Sequence, residues 1–259
     1  MMEAVALRPG RAWITQYAIM LALSVLVAVM GISADSAAVV SGAMLLAPFM
    51  VPVMGVSAAL TMALPRHLMR SLTLVIVASV LSVLLAFLLA QLLPGGPLPD
   101  ELTSRTSPDL RDLLVALAAG AAGAYATVRP DVSSSLPGVA VAVALVPPLA
   151  AIGMAMEAGR GDLTRGAALL YAANLSAIIL VAAGVFLITG FVPPRRLRET
   201  SFRVVLGGVL VAAATVAIAV PLTLASINEA EAGEDRERVQ DAVVGWLAGA
   251  GDDLDEVRI

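Results

Sequence analysis

This sequence predicts an all-α membrane protein of about seven transmembrane helices: two inverted three-helix repeats with broken second helices, plus one extra helix. Three observations carry that expectation. Of 259 residues, 59% are hydrophobic and only 14% charged, and the mean hydropathy is +0.93, well beyond an ordinary soluble domain. The apolar residues run in stretches long enough for the roughly 20-residue helix that crosses a bilayer. Two of those stretches also share an order of cap, glycine and proline at a fixed separation.

Taken in order, the first span is 12–33, an unbroken apolar run behind Arg8 and Arg11 that is too long for a signal-peptide core. The second, 36–63, contains SGAMLLAPFMVPVMG, with Pro48 and Pro52 near the middle of a stretch otherwise fit for a helix. The third, 68–93, follows the turn Pro65-Arg66-His67. The loop 94–108, PGGPLPDELTSRTSP, has the composition of an exposed turn region. The fourth span, 109–128, carries the small-residue run Ala118 to Gly123, suited to close helix packing. The fifth, 133–157, follows Arg129-Pro130-Asp131 and contains Pro147-Pro148. The sixth, 164–192, holds the uncharged polar pair Tyr171 and Asn174, and the seventh, 203–225, follows Pro193-Pro194-Arg195-Arg196. Beyond it, 226–259 forms a short acidic segment that reads either as a solvated tail or as the start of a soluble domain.

All 16 basic residues are arginine. With abundant Ala, Val, Leu and Gly, this suggests a GC-rich bacterial genome, hence a multi-pass protein of the bacterial cytoplasmic membrane. Arginine asymmetry orients the chain. With the N-terminus inside, Arg8, Arg11, Arg66, Arg70, Arg129, Arg195, Arg196, Arg198 and Arg203 are cytoplasmic, against Arg105, Arg111, Arg160 and Arg165 outside. The loop around Arg198 is therefore expected inside and the loop around Asp100 outside.

Set Asp35 under Asp131, 96 residues on, and Gly42 falls on Gly138 and Pro52 on Pro148. An offset of 95 in the following span pairs Arg70 with Arg165 and Ser79 with Asn174. A three-span unit is odd-numbered, so its second copy inserts upside down, an arrangement associated with transporters. Proline removes a backbone donor and frees the carbonyl one turn earlier. In hydrocarbon such a carbonyl needs cover from protein or from a water-filled cavity. The paired prolines are thus either ordinary kinks or the two halves of a ligand site.

The blocks DSAAVVSGAMLLAPFMVPVMG and TSPDLRDLLVALAAGAAGAYA…SSSLPGVAVAVALVPPLAAIG resemble the signature of the uncharacterised hydrophobic domain proteins, domain of unknown function 389, over roughly residues 15 to 190. That resemblance implies a multi-pass prokaryotic membrane protein, sometimes with soluble segments on either side. It implies no activity and no set of functional residues.

The candidate chemistry therefore comes from the residues alone. Asp35 and Asp131 stand at helix starts, as caps or as cation or proton coupling groups. Ser133, Ser134 and Ser135 precede Pro137 and Gly138, a composition that caps a helix or cradles an anion. Ser41, Gly42, Pro48 and Pro52 in one repeat, and Gly138, Pro147 and Pro148 in the other, form the expected ligand-contacting breaks, with Ser79 and Asn174 reaching in from flanking helices. His67 is the only histidine and there is no cysteine, which excludes disulfides and thiolate metal sites. With no buried Ser/His/Asp set, no HExxH and no carboxylate pair on one face, the chain is not expected to be an enzyme, and its cofactors are unknown. The expected function is transport of a small solute or ion by alternating access; a membrane sensor or assembly platform, and a channel, are the alternatives. The expected partners are the lipid bilayer, the solute and further copies of the chain in a homo-oligomer, with no nucleic acid.

Overall fold

The computed structural model describes residues 10–93, 97–106, 109–129 and 135–190, which are helical apart from short connections. The helices are α1 (Arg11–Ser33), α2 (Ala37–Met44), α3 (Met50–Thr61), α4 (Pro65–Ala90), α5 (Asp100–Ser104), α6 (Leu110–Val128), α7 (Ser135–Glu157) and α8 (Gly161–Ile188). Among the described residues, four helices are long and apolar enough to cross a membrane: Arg11–Ser33, Pro65–Ala90, Arg111–Val128 and Gly161–Ile188. The chain is a multi-pass membrane protein. The expected seventh span, 203–225, and the segment 226–259 lie outside the described residues.

Side chains sort as they do in helices that meet lipid. On α4, Ile76, Val77, Val80, Leu81, Leu84 and Leu88 are exposed, while Ser71, Ala78, Ser79, Ser82, Ala86 and Ala90 are buried. Lipid tails are as apolar as leucine, so helices in a bilayer associate through close approach rather than through burial of bulk. Two glycines make that approach literal. A Cβ on Gly153 of α7 would stand 2.6 Å from the Val83 carbonyl oxygen of α4, and one on Gly120 of α6 would stand 2.9 Å from Ile178 Cα of α8. The glycines of the small-residue run thus pack inside the chain, while Ala118 and Ala122 on the same run stay exposed. At the centre lies α7, which touches α1, α2, α3, α4, α6 and α8. Its described side chains from Ala144 to Ala155 are all buried.

The two second spans differ. In the first, α2 stops at Met44 and α3 starts at Met50, so the expected break is present over Leu45–Phe49. Pro48 disfavours the helical region for Ala47 before it. Pro52 is the third residue of α3, within the first turn, where an N–H has no intrahelical acceptor to lose. In the second, the expectation of a broken helix is corrected: α7 runs continuously from Ser135 to Glu157 with Pro147 and Pro148 inside it. The residue 96 positions after Pro48 is Ala144, so no proline stands four residues ahead of Pro148 to stop the helix.

The turns that follow these spans are alike. Ala63 after α3 has φ 48° and Gly159 after α7 has φ 67°, the left-handed conformation that closes a helix. Leu64 N–H donates to Ala59 O at 2.9 Å, and Arg160 N–H to Ala155 O at 3.0 Å. Leu64 (φ −102°, ψ 86°) and Arg160 (φ −92°, ψ 84°) then open α4 and α8. Each pair is 96 residues apart. The third and sixth spans, expected at 68–93 and 164–192, accordingly begin three residues earlier, at Pro65 and Gly161.

Asp35 closes α1 in the same way, with φ 50° and Ser36 N–H donating to Gly31 O at 2.9 Å. Its expected role as the cap of the second span is corrected. Ser36 is the N-cap of α2, accepting from Val39 N–H at 3.4 Å. Aspartate suits the left-handed position because its short polar side chain tolerates it.

Candidate functional site

The site is built from a deficit in α7. Pro148 has no N–H, so the Ala144 carbonyl loses its helical donor, and Pro147 does the same to Val143. Asn174 of α8 makes good the first loss, its Nδ2 donating to Ala144 O at 2.9 Å. Asn174 is 3% exposed. Its Oδ1 is buried without a hydrogen-bond partner. The amide orientation follows from the contact, because the reverse would set two acceptor oxygens against each other.

One turn before Asn174, Tyr171 joins α8 to α4. The Ser79 hydroxyl donates to Val75 O at 2.7 Å, and Ser79 Oγ lies 2.5 Å from Tyr171 OH. With the Ser79 proton committed to Val75, the tyrosine is the donor of that second bond and its oxygen keeps its lone pairs. Sequence pairing singled out Ser79 and Asn174, and both are buried, Ser79 against Tyr171 of α8 and Asn174 against Ala144 of α7. It missed Tyr17 of α1, whose ring stacks on Trp13 at 5.1 Å between centroids and whose hydroxyl is also buried without a partner. A tyrosine near the start of a span reads as an interfacial anchor, which is why nothing in the sequence marked it.

The break in the first repeat has its own donor. Ser24 of α1 donates to Ala43 O at 2.8 Å, both groups buried. Pro52 is buried and Pro48 half-buried, and α2 and α3 both pack on α7. Two expected contributors stand apart. Ser41 is exposed and turns its hydroxyl back to Ala37 O at 2.8 Å, and Gly42 has open space where a Cβ would be, so it permits no close approach. Asp35 accepts from Glu101 N–H at 2.6 Å, which fastens α5 to the end of α1. Ser135 and Gly138 fall in the first turns of α7; Asp131, Ser133 and Ser134 lie outside the described residues.

A cavity of about 1150 Å³ opens at the end of the bundle where α1, α4 and α7 finish, lined among others by Asp35, Asp100, Glu157 and Arg160. Sequence reading gave no sign of it, since its walls come from four distant segments. Three helix C-termini each bring partial negative charge, and three carboxylates add to it. The Arg160 guanidinium donates to Asp162 at 3.1 and 2.7 Å, and that hydrogen bond pushes its pKa up. Its charge is therefore already answered. No group of three His, Cys, Asp or Glu side chains that could hold a metal ion occurs among the described residues.

A family model described as "Domain of unknown function (DUF389)" matches residues 44–180, just over half of the chain, from the end of α2 into α8. An uncharacterized protein of the archaeon Methanocaldococcus jannaschii is 33% identical over 177 residues, which cover 68% of this chain and 55% of that protein. The chain thus spans about half the length of the curated relative it matches. No solved structure matches.

Proposed function

The chain belongs to the DUF389 family, and from its geometry we propose that it is a secondary transporter that carries a small solute or ion by alternating access, not an enzyme. The observation that carries this reading is the unpaired Asn174 Oδ1 beside the proline turn of a buried central helix. Depleted backbone at membrane depth is tolerated where protein covers it or where it lines a water-filled cavity, and Asn174 covers only the Ala144 carbonyl. A polar atom kept there without a partner is expensive unless something visits it.

The proposal includes the inverted repeat and the seventh helix, 203–225. Support for the repeat comes from the matching α3–α4 and α7–α8 turns and from the pattern of contacts. α3 packs on α8 as α4 packs on α7, and α1 packs on α7 as α3 packs on α6. Asp35 and Glu157 line one cavity, so the start of one second span meets the end of the other, as opposite running senses require. A bacterial cytoplasmic membrane and a homo-oligomer are also part of the reading. Because the α6 glycines pack within the chain, copies would meet on exposed faces such as that of α4, and protein mass in detergent tests it.

Flux into proteoliposomes is the deciding experiment. Saturable, solute-dependent uptake supports a transporter, steady ungated conductance a channel, and neither a sensor or assembly platform. Single cysteines at Asp100 and Arg198 are expected to label from opposite faces; labelling from the same face overturns the inverted topology.

A further inference from the structure

We propose that the proline turn of α7, together with Asn174, binds a monovalent alkali cation. This deepens the transport reading, on which its purpose rests, by naming the class of ligand. The groups on offer are neutral oxygens. Asn174 Oδ1 is buried and unpaired. Since amide oxygen and nitrogen share one carbon, and Nδ2 is fixed on Ala144 O, Oδ1 must lie beside the same turn. The Val143 carbonyl has lost its helical donor to Pro147. Tyr171, one turn away on α8, spends its proton on Ser79 and keeps its oxygen lone pairs.

Surplus oxygen lone pairs call for a donor or a cation. Backbone carbonyls without a helical donor, with side-chain oxygens, are ligands for small monovalent ions, and proline supplies such a carbonyl here inside a continuous helix. A divalent ion needs carboxylates to offset its dehydration, and neither α7 nor α8 carries one within two turns of Pro147, Pro148 or Asn174. The end cavity agrees in sign: Asp35, Asp100 and Glu157, with the one arginine paired to Asp162, raise the local concentration of cations and lower that of anions.

The test uses the full-length protein in detergent, with its thermal midpoint followed in lithium, sodium, potassium or choline chloride at equal ionic strength. One alkali ion is expected to raise the midpoint saturably while choline, too large for the turn, does not. Asn174→Leu is expected to raise the half-saturating concentration at least about tenfold, the loss of one ion contact. Pro147→Ala returns a donor to Val143 without touching Asn174 and is expected to weaken the ion similarly. Asn174→Asp retains an oxygen for the ion and, protonated, a donor for Ala144, so it is expected to keep saturable binding. No ion-specific shift in the wild type, equal shifts in all the variants, or an ordered water alone at Oδ1 overturns the proposal. Solute flux without any ion shift removes this inference and leaves transport standing; an ion shift without flux does the reverse.

Discussion

Pro52 and Pro148 stand 96 residues apart in two spans that treat them differently. In the first span the helix has already ended, and Pro52 sits in the opening turn of α3, where no bond is lost. In the second the helix continues through Pro147 and Pro148, and a side chain from α8 stands in for the missing donor. The difference traces to Pro48, whose counterpart is Ala144. Where the chain breaks, its own backbone closes the turn: Leu45 N–H reaches Gly42 O and Leu46 N–H reaches Ala43 O, both at 3.2 Å. Where it does not break, α7 depends on a neighbour. A mid-membrane proline can thus be accommodated locally or by tertiary contact, and only the second way leaves a polar amide half used in the core.

The strongest way to break this comparison is Ala144→Pro, which gives α7 the proline pair of the first span. Here no turn geometry is prepared for a break, and the α7 side chains from Ala144 to Ala155 are buried. Proline in a helix interior costs about 3 kcal/mol or more. The variant is expected to lose most of its folded yield, measured as the monodisperse fraction in detergent.

Next in size are two substitutions that test tertiary dependence. Gly153→Ser gives α7 the residue that α3 carries at Ser57. Its Cβ meets the Val83 carbonyl and Phe87 nitrogen of α4, so overpacking is expected to cost about 1–3 kcal/mol. Asn174→Leu keeps apolar bulk but strands the Ala144 carbonyl, at about 1–3 kcal/mol. Ser24→Ala is the control from the other span. Ala43 O retains Leu46 N–H as a donor, so the expected loss is about 0.5–1.5 kcal/mol. Thermal midpoints rank the three variants; Ser24→Ala falling below Asn174→Leu would reverse the argument.

Much of this was readable from the chain. Hydropathy located the described long helices to within a few residues, though not α5 inside the loop expected as an exposed turn, and the proline and glycine order gave the offset of 96 that the turns at Ala63 and Gly159 keep. Ser79 and Asn174 could be picked out because a polar residue inside a span must find a partner. Three things were not readable. Asp35 looked like a cap because Asp favours caps, yet Asp also tolerates the left-handed turn that ends α1, and sequence does not separate the two uses. The continuity of α7 depends on a donor 30 residues away, a contact that no local rule contains. The end cavity is made by four segments meeting, and Tyr17 is buried because it shares the inward face of α1 with Leu21, Ser24 and Ala28.

The smallest effect on stability, and the most informative about function, is expected from Pro48→Ala. Pro48 is half-buried and makes the break by excluding the helical region at Ala47 and by withholding a donor from Met44. With alanine there, both constraints go and the backbone is free to join α2 to α3 as α7 is joined. Pro52 would then lie inside a helix, and the Pro48 position's carbonyl would need the kind of help Ala144 gets from Asn174. The counterpart of Asn174 is Ser79, which already donates to Val75, so that help is missing. Because the joined form strands that carbonyl, the break is expected to persist in the folded state, and loss of the proline's chain stiffening leaves a stability change within about 1 kcal/mol. Flux in proteoliposomes is nonetheless expected to fall steeply if the transport reading holds, since alanine no longer fixes the break at Leu45–Phe49. If flux and thermal midpoint instead fall together and in proportion, the break is only a folding feature, and the contrast between the two spans carries no functional meaning.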